Sequence, residues 1–362
     1  MGEKKRLILS LGIGLLVSGV ALYVTFRHIP IQDLFGYLKT VNYWWVIPAV
    51  AVTLTGFVLR VVRWQLLLSP VKETPFWSAF HPLMIGFALN LLMPARVGEI
   101  ARPAIFFKKE KVAFARVLAT VGAERVFDVF TLLFFFAGVL ATVKIDPQLD
   151  LTFGRYHLNR ATLESIGMTT LKLCFVLLAG IIALSTRVSR RLIKRVILAL
   201  PALLVFSGDE FRERVRDKVC LRLAKAVDHL AVGLDMLKSP GKVGRCLLLS
   251  FLVWILAGAS HYIFTLGCPG VQVSFLEMCA VMVILCFFIS LPSVPGFWGL
   301  WEAGGVFGLL IFGVPAKEAA GFTLANHVFQ IGPVLIVGIV SSIITGVSLV
   351  HVPGRQDQEA GS

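Results

Sequence analysis

The chain has 362 residues, of which 57% are hydrophobic and 15% charged, and it carries a formal net charge of +14. With a mean hydropathy of +0.83, this composition excludes an ordinary soluble domain and predicts one all-α integral membrane domain over residues 1–362. The positive charge does not indicate nucleic-acid binding, because Lys and Arg accumulate in the cytoplasmic loops of membrane proteins and there face inner-leaflet anionic lipids.

The first predicted helix runs from Leu7 to Phe26 and follows three basic residues at positions 4–6. It is long for a signal sequence and lacks a small-residue cleavage site, so we expect a retained span with a cytoplasmic N-terminus. Residues 27–42 are predicted as an outer loop. Aromatic residues at 43–45 then mark the membrane interface, and a second span continues to about Leu68.

Two arginines lie near the end of the second span, at Arg60 and Arg63. Their three-residue spacing places them on one helix face. One interpretation is that both anchor the helix by reaching the cytoplasmic headgroups. The alternative is that they bind an anionic lipid headgroup from the inner side.

The stretch from Asn90 to Arg102 reads NLLMPARVGEIAR and interrupts a strongly apolar region. It contains Pro94 and Gly98, which break helices. Irregular backbone persists at membrane depth only where protein or a water-filled cavity surrounds it, and charges at that depth usually face a pathway or a partner. The pattern therefore predicts a re-entrant hairpin over residues 79–107 that lines a polar cavity.

Three charged residues, Arg96, Glu99 and Arg102, recur at three-residue intervals in this hairpin. If the chain is helical from Val97 onward, they share one face. Lys72 precedes the hairpin and further lysines follow it at 108–111, so both of its ends are predicted to be cytoplasmic.

The third predicted span covers about Leu118 to Val143 and carries Glu124, Arg125 and Asp128. The two acids are one helical turn apart, so we expect them to form buried pairs with Arg96 or Arg102 of the hairpin. Such a network either belongs to a binding site or only locks the hairpin against this helix, because buried charges are usually paired in either case.

The middle of the chain is predicted as an outer loop over residues 144–168 and a fourth span from Met168 to Thr186. Residues 187–245 are rich in Lys and Arg, which marks them as a cytoplasmic segment. Their periodicity is typical of amphipathic helices on the inner leaflet.

A fifth span is predicted from Cys246 to Gly267, and a last span from about Ala319 to Val350. Between them, residues 276–313 form a second interrupted stretch. It breaks at Pro295, Gly296 and Gly299, and it carries one acid, Glu302.

Residues 44–143 and 246–349 both read as a span, a broken hairpin and a span. The loop charges orient the two halves oppositely, which predicts an inverted repeat with a site between the broken elements. The expected architecture has about six full spans and two re-entrant hairpins, with both termini in the cytoplasm. It stays open whether residues 276–313 form a hairpin or span the membrane fully.

Motifs in this order resemble the flippase-like transmembrane domain of the lysylphosphatidylglycerol synthase family. The matching residues are Arg60-x-x-Arg63-Trp64, Asn90-x-x-x-Pro94-x-Arg96-x-Gly98-Glu99-x-x-Arg102, Glu124-Arg125-x-x-Asp128 and Pro295-Gly296-x-x-Gly299-x-x-Glu302. Two positions depart from the family pattern: Phe297, where members often have glycine, and the region of His327, where they often have arginine.

This resemblance implies a bacterial or archaeal inner-membrane protein that moves a lipid between leaflets, such as an aminoacylated phosphatidylglycerol or a polyprenyl-linked sugar. Only a short tail follows Gly354, so we expect no aminoacyl-transferase activity. The residues expected to bind the lipid are Arg60, Arg63, Asn90, Arg96, Glu99, Arg102, Glu124, Arg125, Asp128 and Glu302.

The leading hypothesis is a flippase in which Arg96 and Arg102 hold a phosphate, while Glu99 and Glu302 hold cationic groups or the arginines themselves. Catalytic residues, a metal and a cofactor are not expected, and a homo-oligomer is left open. Two alternatives are a membrane enzyme that modifies a headgroup with its acids as acid–base catalysts, and a non-transporting scaffold for a lipid-modifying enzyme.

Overall fold

The computed structural model describes residues 3–27, 29–142, 187–203, 239–291 and 294–349, two paired strands at 151–153 and 156–158, and a few positions between 165 and 224. Most described residues are helical. The elements are α1 (Glu3–Phe26), α2 (Ile31–Thr40), α3 (Val46–Leu68), α4 (Phe76–Leu92), α5 (Gly98–Glu110), α6 (Phe114–Thr142), β1 (Leu151–Phe153), β2 (Tyr156–Leu158), α7 (Arg187–Ala199), α8 (Pro240–Thr265), α9 (Phe275–Ile289), α10 (Leu300–Ile311) and α11 (Ala316–Thr345).

Three helices in the described part of the chain are long and apolar enough to cross a bilayer: α3 with the turn before it, α8 and α11. Helix α6 has 29 residues and is also long enough, but it carries the charged group around Glu124. The shorter α4 and α9 are apolar as well. The prediction of a helical, multi-pass membrane protein is therefore confirmed.

Helices α3 and α8 form the antiparallel centre of the molecule. Near one end, the Ser260 hydroxyl donates a 2.8 Å hydrogen bond to the carbonyl of Ala49. Near the other end, Arg63 donates to the hydroxyl of Ser250 at 2.8 Å. Residue numbers rise along α3 as they fall along α8, so the two helices run in opposite directions.

Each of the helix pairs α4–α5 and α9–α10 folds back on itself as a hairpin. Gly86 of α4 packs against Gly98 and Arg102 of α5, and Gly308 of α10 packs against Val281 of α9. Glycine is needed at position 98 because a Cβ there would overlap the backbone oxygen of Gly86.

The two hairpin tips have similar backbones. A 3-10 turn at Pro94–Arg96 joins α4 to α5, and another at Pro295–Phe297 lies between α9 and α10. The third residue of each turn has a left-handed backbone, with φ of 52° at Arg96 and 62° at Phe297. Glycine favours that region, so a non-glycine residue at either position adopts a backbone that L side chains rarely take.

The region predicted as an outer loop, residues 27–42, is not irregular. Helix α2 occupies most of it and meets α1 at 79°. Its Tyr37 packs against Gly321 of α11, and it joins a core with Phe264 and Phe322. The loop prediction was wrong because the apolar face of this short helix is covered by helices that lie far away in sequence.

The fourth predicted span and the predicted outer loop lie outside the described residues, apart from the two strands and a few positions. The same holds for most of the basic segment at 187–245, of which α7 and the start of α8 are described. Helix α8 begins at Pro240, six residues before the predicted start of the fifth span at Cys246. Helix α11 is continuous through Pro333.

Candidate functional site

A cavity of about 480 Å³ lies between the two hairpin tips. Helices α3, α6, α8 and α11 complete its wall, so both halves of the chain contribute. Most of the wall is apolar. Its charged residues, within the described part of the chain, are Arg60, Arg96, Glu99, Arg125 and Asp128.

Behind this wall, the Arg63 side chain is completely buried. It donates to Asp128 at 2.6 Å and to Glu124 at 2.9 Å, both on α6. Arg63 therefore neither anchors α3 at the headgroups nor reaches a lipid. Three charge-assisted contacts, counting that to Ser250, hold α3, α6 and α8 together.

Arg102 also lies behind the cavity wall. Its guanidinium forms a 2.8 Å ion pair with Glu124 and stacks 3.6 Å from the centre of the Trp64 ring. A pairing of the α6 acids with Arg96 or Arg102 was expected, and among the described residues Arg102 is the one that pairs. The expected direct contact of Arg102 and Glu124 with a lipid is not supported, because both side chains are buried by their partners.

Arg96 and Arg102 do not share a helix face. The left-handed backbone at Arg96 ends the 3-10 turn before α5 begins at Gly98. Arg96 consequently points away from the buried pair and lies on the cavity wall, where it donates to the carbonyl of Ile289 at 3.1 Å. No carboxylate of the described residues lies within 4 Å of it.

Arg125 is about one-third exposed and contacts three acids. It lies 3.2 Å from Asp128, 3.4 Å from Glu124 and 3.5 Å from Glu99. Asn90 adds a weak 3.5 Å contact to Glu99. These contacts join the first hairpin to α6 directly at the cavity surface.

Arg60 lies on the wall with its guanidinium 4.0 Å from Asp128, which is a loose ion pair. It is held mainly by three aromatic rings, of Phe57, Phe87 and Trp254, at 5.2–5.8 Å from their centres. Cation–π contacts of this kind stabilise an arginine in apolar surroundings without using its N–H groups, and no hydrogen bond to Arg60 is found within the described part of the chain. The interpretation of Arg60 as a cytoplasmic anchor does not agree with this position.

Glu302 faces away from the cavity. Its carboxylate accepts a 2.6 Å hydrogen bond from the backbone N–H of Gly299 and lies 2.5 Å from Nδ1 of His327. Nε2 of His327 meets the carbonyl of Gly296 at 2.8 Å. Because both ring nitrogens face oxygen acceptors, the pair holds a proton between Nδ1 and the carboxylate. Glu302 thus fixes the second tip and does not reach a substrate.

Several uncharged polar residues of the wall were missed by the sequence reasoning. Thr53 and Gln330 hydrogen-bond to each other at 3.1 Å and both meet Ser260 at 2.7 Å. His261 and Trp301 also line the cavity. A single histidine and a single tryptophan in an apolar helix carry no signal that distinguishes a cavity wall from a packed core.

Among the described residues, no group of three or more His, Cys, Asp or Glu side chains is arranged to hold a metal ion. The acids of the cluster are instead occupied by arginines. The arrangement offers positive hydrogen-bond donors in an apolar pocket, which is suited to holding an anionic group attached to hydrocarbon.

A comparison with family models matches residues 11–338 to the transmembrane region of lysylphosphatidylglycerol synthase. The match covers both hairpins and the whole described cavity. No curated protein matches the chain.

Proposed function

Because the chain belongs to the family of the lysylphosphatidylglycerol synthase transmembrane region, with a membrane-lipid-related function, we propose that it is a flippase. It carries the polar headgroup of a lipid across the bilayer through the cavity between its two hairpins. It performs no chemistry on that lipid.

The main support for this proposal comes from the hydrogen-bond partners of two arginines on the cavity wall. Arg96 donates only to a backbone carbonyl among the described residues, and Arg60 is held mainly by aromatic rings. Both retain N–H donors for a lipid phosphate, which a guanidinium binds through two oxygens at once. The apolar remainder of the wall suits the first part of the acyl chains.

The buried ions behind the wall act as a framework in this proposal. Arg63 and Arg102 both pair with Glu124, and Arg63 also donates to Ser250 of the other half. Their role is to keep the shape of the cavity while Arg125 and Glu99, at its surface, exchange partners with a passing headgroup. Glu99 is the acid placed to meet a cationic headgroup, in place of Glu302.

An inverted repeat is supported by how the helices pack. Helix α3 pairs with α8, α4 with α11, and α9 with α6, so exchanging the two halves reproduces the same set of contacts. The hairpins then enter the membrane from opposite sides. With the basic residues placed inside, about six spans and two cytoplasmic termini follow, in a bacterial or archaeal inner membrane.

The sequence has no G-x-x-x-x-G-K-[ST] nucleotide-binding motif. Transport is therefore driven by the lipid's own concentration difference or by an ion gradient.

The test is lipid translocation by the purified protein in proteoliposomes. Vesicles contain a trace of phosphatidylglycerol with a fluorescent acyl chain, and a membrane-impermeant reductant bleaches the outer leaflet. A flippase raises the bleached fraction above the half seen in protein-free vesicles, without a new lipid in the mass spectrum. A changed lipid would indicate a headgroup-modifying enzyme, and neither result would favour a scaffold.

A further inference from the structure

On the cavity wall, two buried nitrogens outside the charged cluster have no hydrogen-bond partner among the described residues. They are Nε2 of His261, on α8, and Nε1 of Trp301, at the start of α10. The two side chains are only 6% and 8% exposed. A buried polar atom without a partner is unfavourable, so a ligand that supplies a partner is favoured there.

The two nitrogens have complementary hydrogen-bonding roles. Nδ1 of His261 lies 2.9 Å from the carbonyl of Ala257 and must donate to it, because a carbonyl only accepts. In the uncharged ring this leaves Nε2 as an acceptor. The indole Nε1 of Trp301 is a donor only. A hydroxyl group, which both donates and accepts, matches such a pair.

The Trp301 ring is held firmly in place. It stacks on His327 with ring centres 4.6 Å apart and planes at 4°, and His327 is fixed by Glu302. It also lies against His261, with ring centres 6.2 Å apart and planes at 20°. The polar atoms are therefore presented by a rigid stack of three rings, which reduces the entropy lost on binding.

Thr53 and Gln330, also uncharged residues of the wall, already hydrogen-bond to protein partners. His261 and Trp301 differ from them because each has a ring nitrogen without a hydrogen-bond partner among the described residues. The charged residues of the wall belong to the first hairpin, α3 and α6, whereas these two lie on α8 and α10.

From this geometry we propose that His261 and Trp301 form a hydroxyl-binding subsite of the cavity, so that these two residues contribute to its discrimination between lipid headgroups. The inference rests on the proposed function and names two residues that recognise the headgroup. Arg96 and Arg60 bind the phosphate, and the subsite binds a hydroxyl of the group esterified to it.

The test compares two anionic phosphodiester lipids of similar size, phosphatidylglycerol and phosphatidylpropanol, which lacks the headgroup hydroxyls. Binding to the detergent-solubilised full chain is measured by native mass spectrometry. We expect the wild type to prefer phosphatidylglycerol by about tenfold, as one hydrogen-bonded hydroxyl implies. Equal affinities would overturn the proposal.

Trp301→Phe removes the N–H and keeps the ring stack, so the preference should fall to about twofold or less. His261→Phe provides a second variant that removes the acceptor. The matched control is Trp298→Phe, because Trp298 packs against the same His327 with ring centres 4.4 Å apart but is not on the cavity wall. A preference retained in both Trp301→Phe and His261→Phe would contradict the subsite.

Glycerol 1-phosphate, the same headgroup without acyl chains, should bind much more weakly than the lipid. Equal binding would assign the subsite to a soluble phosphate ester and overturn the lipid assignment. These binding readouts do not depend on transport. A protein that shows the preference but moves no lipid would retain the subsite and refute the flippase, and the converse result would do the opposite.

Discussion

Arg63 on α3 and Asp128 on α6 form a 2.6 Å ion pair that joins positions 65 residues apart, with the Arg63 side chain fully buried. Glu124 completes the contact at 2.9 Å and extends it to Arg102 of the first hairpin. Three helices of one half are thereby fixed around a cluster of opposite charges. The cavity lies directly beside this cluster, with Asp128 belonging to both.

Arg63→Ala should destabilise the protein strongly. Removing one member of a buried ion pair leaves uncompensated charges, which costs about 3–5 kcal/mol. The measurement is the loss of monodisperse protein on heating in detergent. The control is Lys72→Ala, which breaks a 2.7 Å pair to Glu110 at an exposed site and should cost about 0.2–1 kcal/mol. Equal stability of the two variants would contradict the framework role of Arg63.

Arg96→Ala should abolish or strongly reduce lipid translocation while the protein folds normally. Among the described residues its side chain makes one hydrogen bond to a carbonyl and is exposed, so folding depends on it little. We expect at least about a tenfold loss of rate, as removal of one charge-assisted phosphate contact implies. Arg96→Lys, which keeps the charge, should retain part of the rate. Wild-type rates in Arg96→Ala would remove this residue from the site.

Gly98→Ala should open the first hairpin, because the added Cβ would overlap the backbone oxygen of Gly86 and approach Asn90. Overpacking of this kind costs about 1–3 kcal/mol. Gly332→Ala on α11 is the matched control, since no heavy atom lies within 4 Å of its added Cβ. That variant should be neutral or up to about 1 kcal/mol more stable. The measurement is the thermal midpoint of each variant. We expect it to fall for Gly98→Ala and to stay the same or rise for Gly332→Ala, and equal midpoints would contradict the close approach of Gly98 to Gly86.

Glu302 and His327 should be coupled in stability. Glu302→Gln and His327→Asn each remove one side of a 2.5 Å contact that is buried on both sides. A double-mutant cycle on thermal stability should return a coupling of about 1–3 kcal/mol. Additive effects would show that the pair does not hold the second tip. The sequence had suggested Glu302 as a substrate contact, and a loss of transport without loss of stability would favour that role again.

Much of the helical architecture was visible in the sequence, because apolar runs and helix breakers act locally. Pro94 and Pro295 coincide with the starts of the two 3-10 turns. The charged residues around Glu124 were identified as members of a network, and Arg102 pairs with it as expected. These features depend on spacing within single helices and on the cost of leaving charge unpaired in an apolar environment.

The sequence did not reveal which residues the polar and charged side chains contact. Arg63 appeared to belong to a membrane surface, yet it lies at the centre of the cluster, because α3 packs against α6 and α8 along its inner face. The direction of Glu302 depends on the left-handed backbone at Phe297 and Gly299. The free nitrogens of His261 and Trp301 follow from the packing of separate helices, which periodicity within one helix does not encode.

The most direct test of the central claim is to bridge the two hairpin tips reversibly. Leu91 and Phe297 lie on the cavity wall at opposite tips, and each is replaced by cysteine in a Cys286→Ser background, because Cys286 is a native cysteine of the same wall. A short, reducible bifunctional thiol reagent then links them. We predict that translocation falls to the protein-free level when the tips are bridged and returns after reduction. The same treatment should leave translocation by either single-cysteine variant unaffected. Translocation at the full rate through a bridged protein would show that the headgroup does not pass between the hairpins.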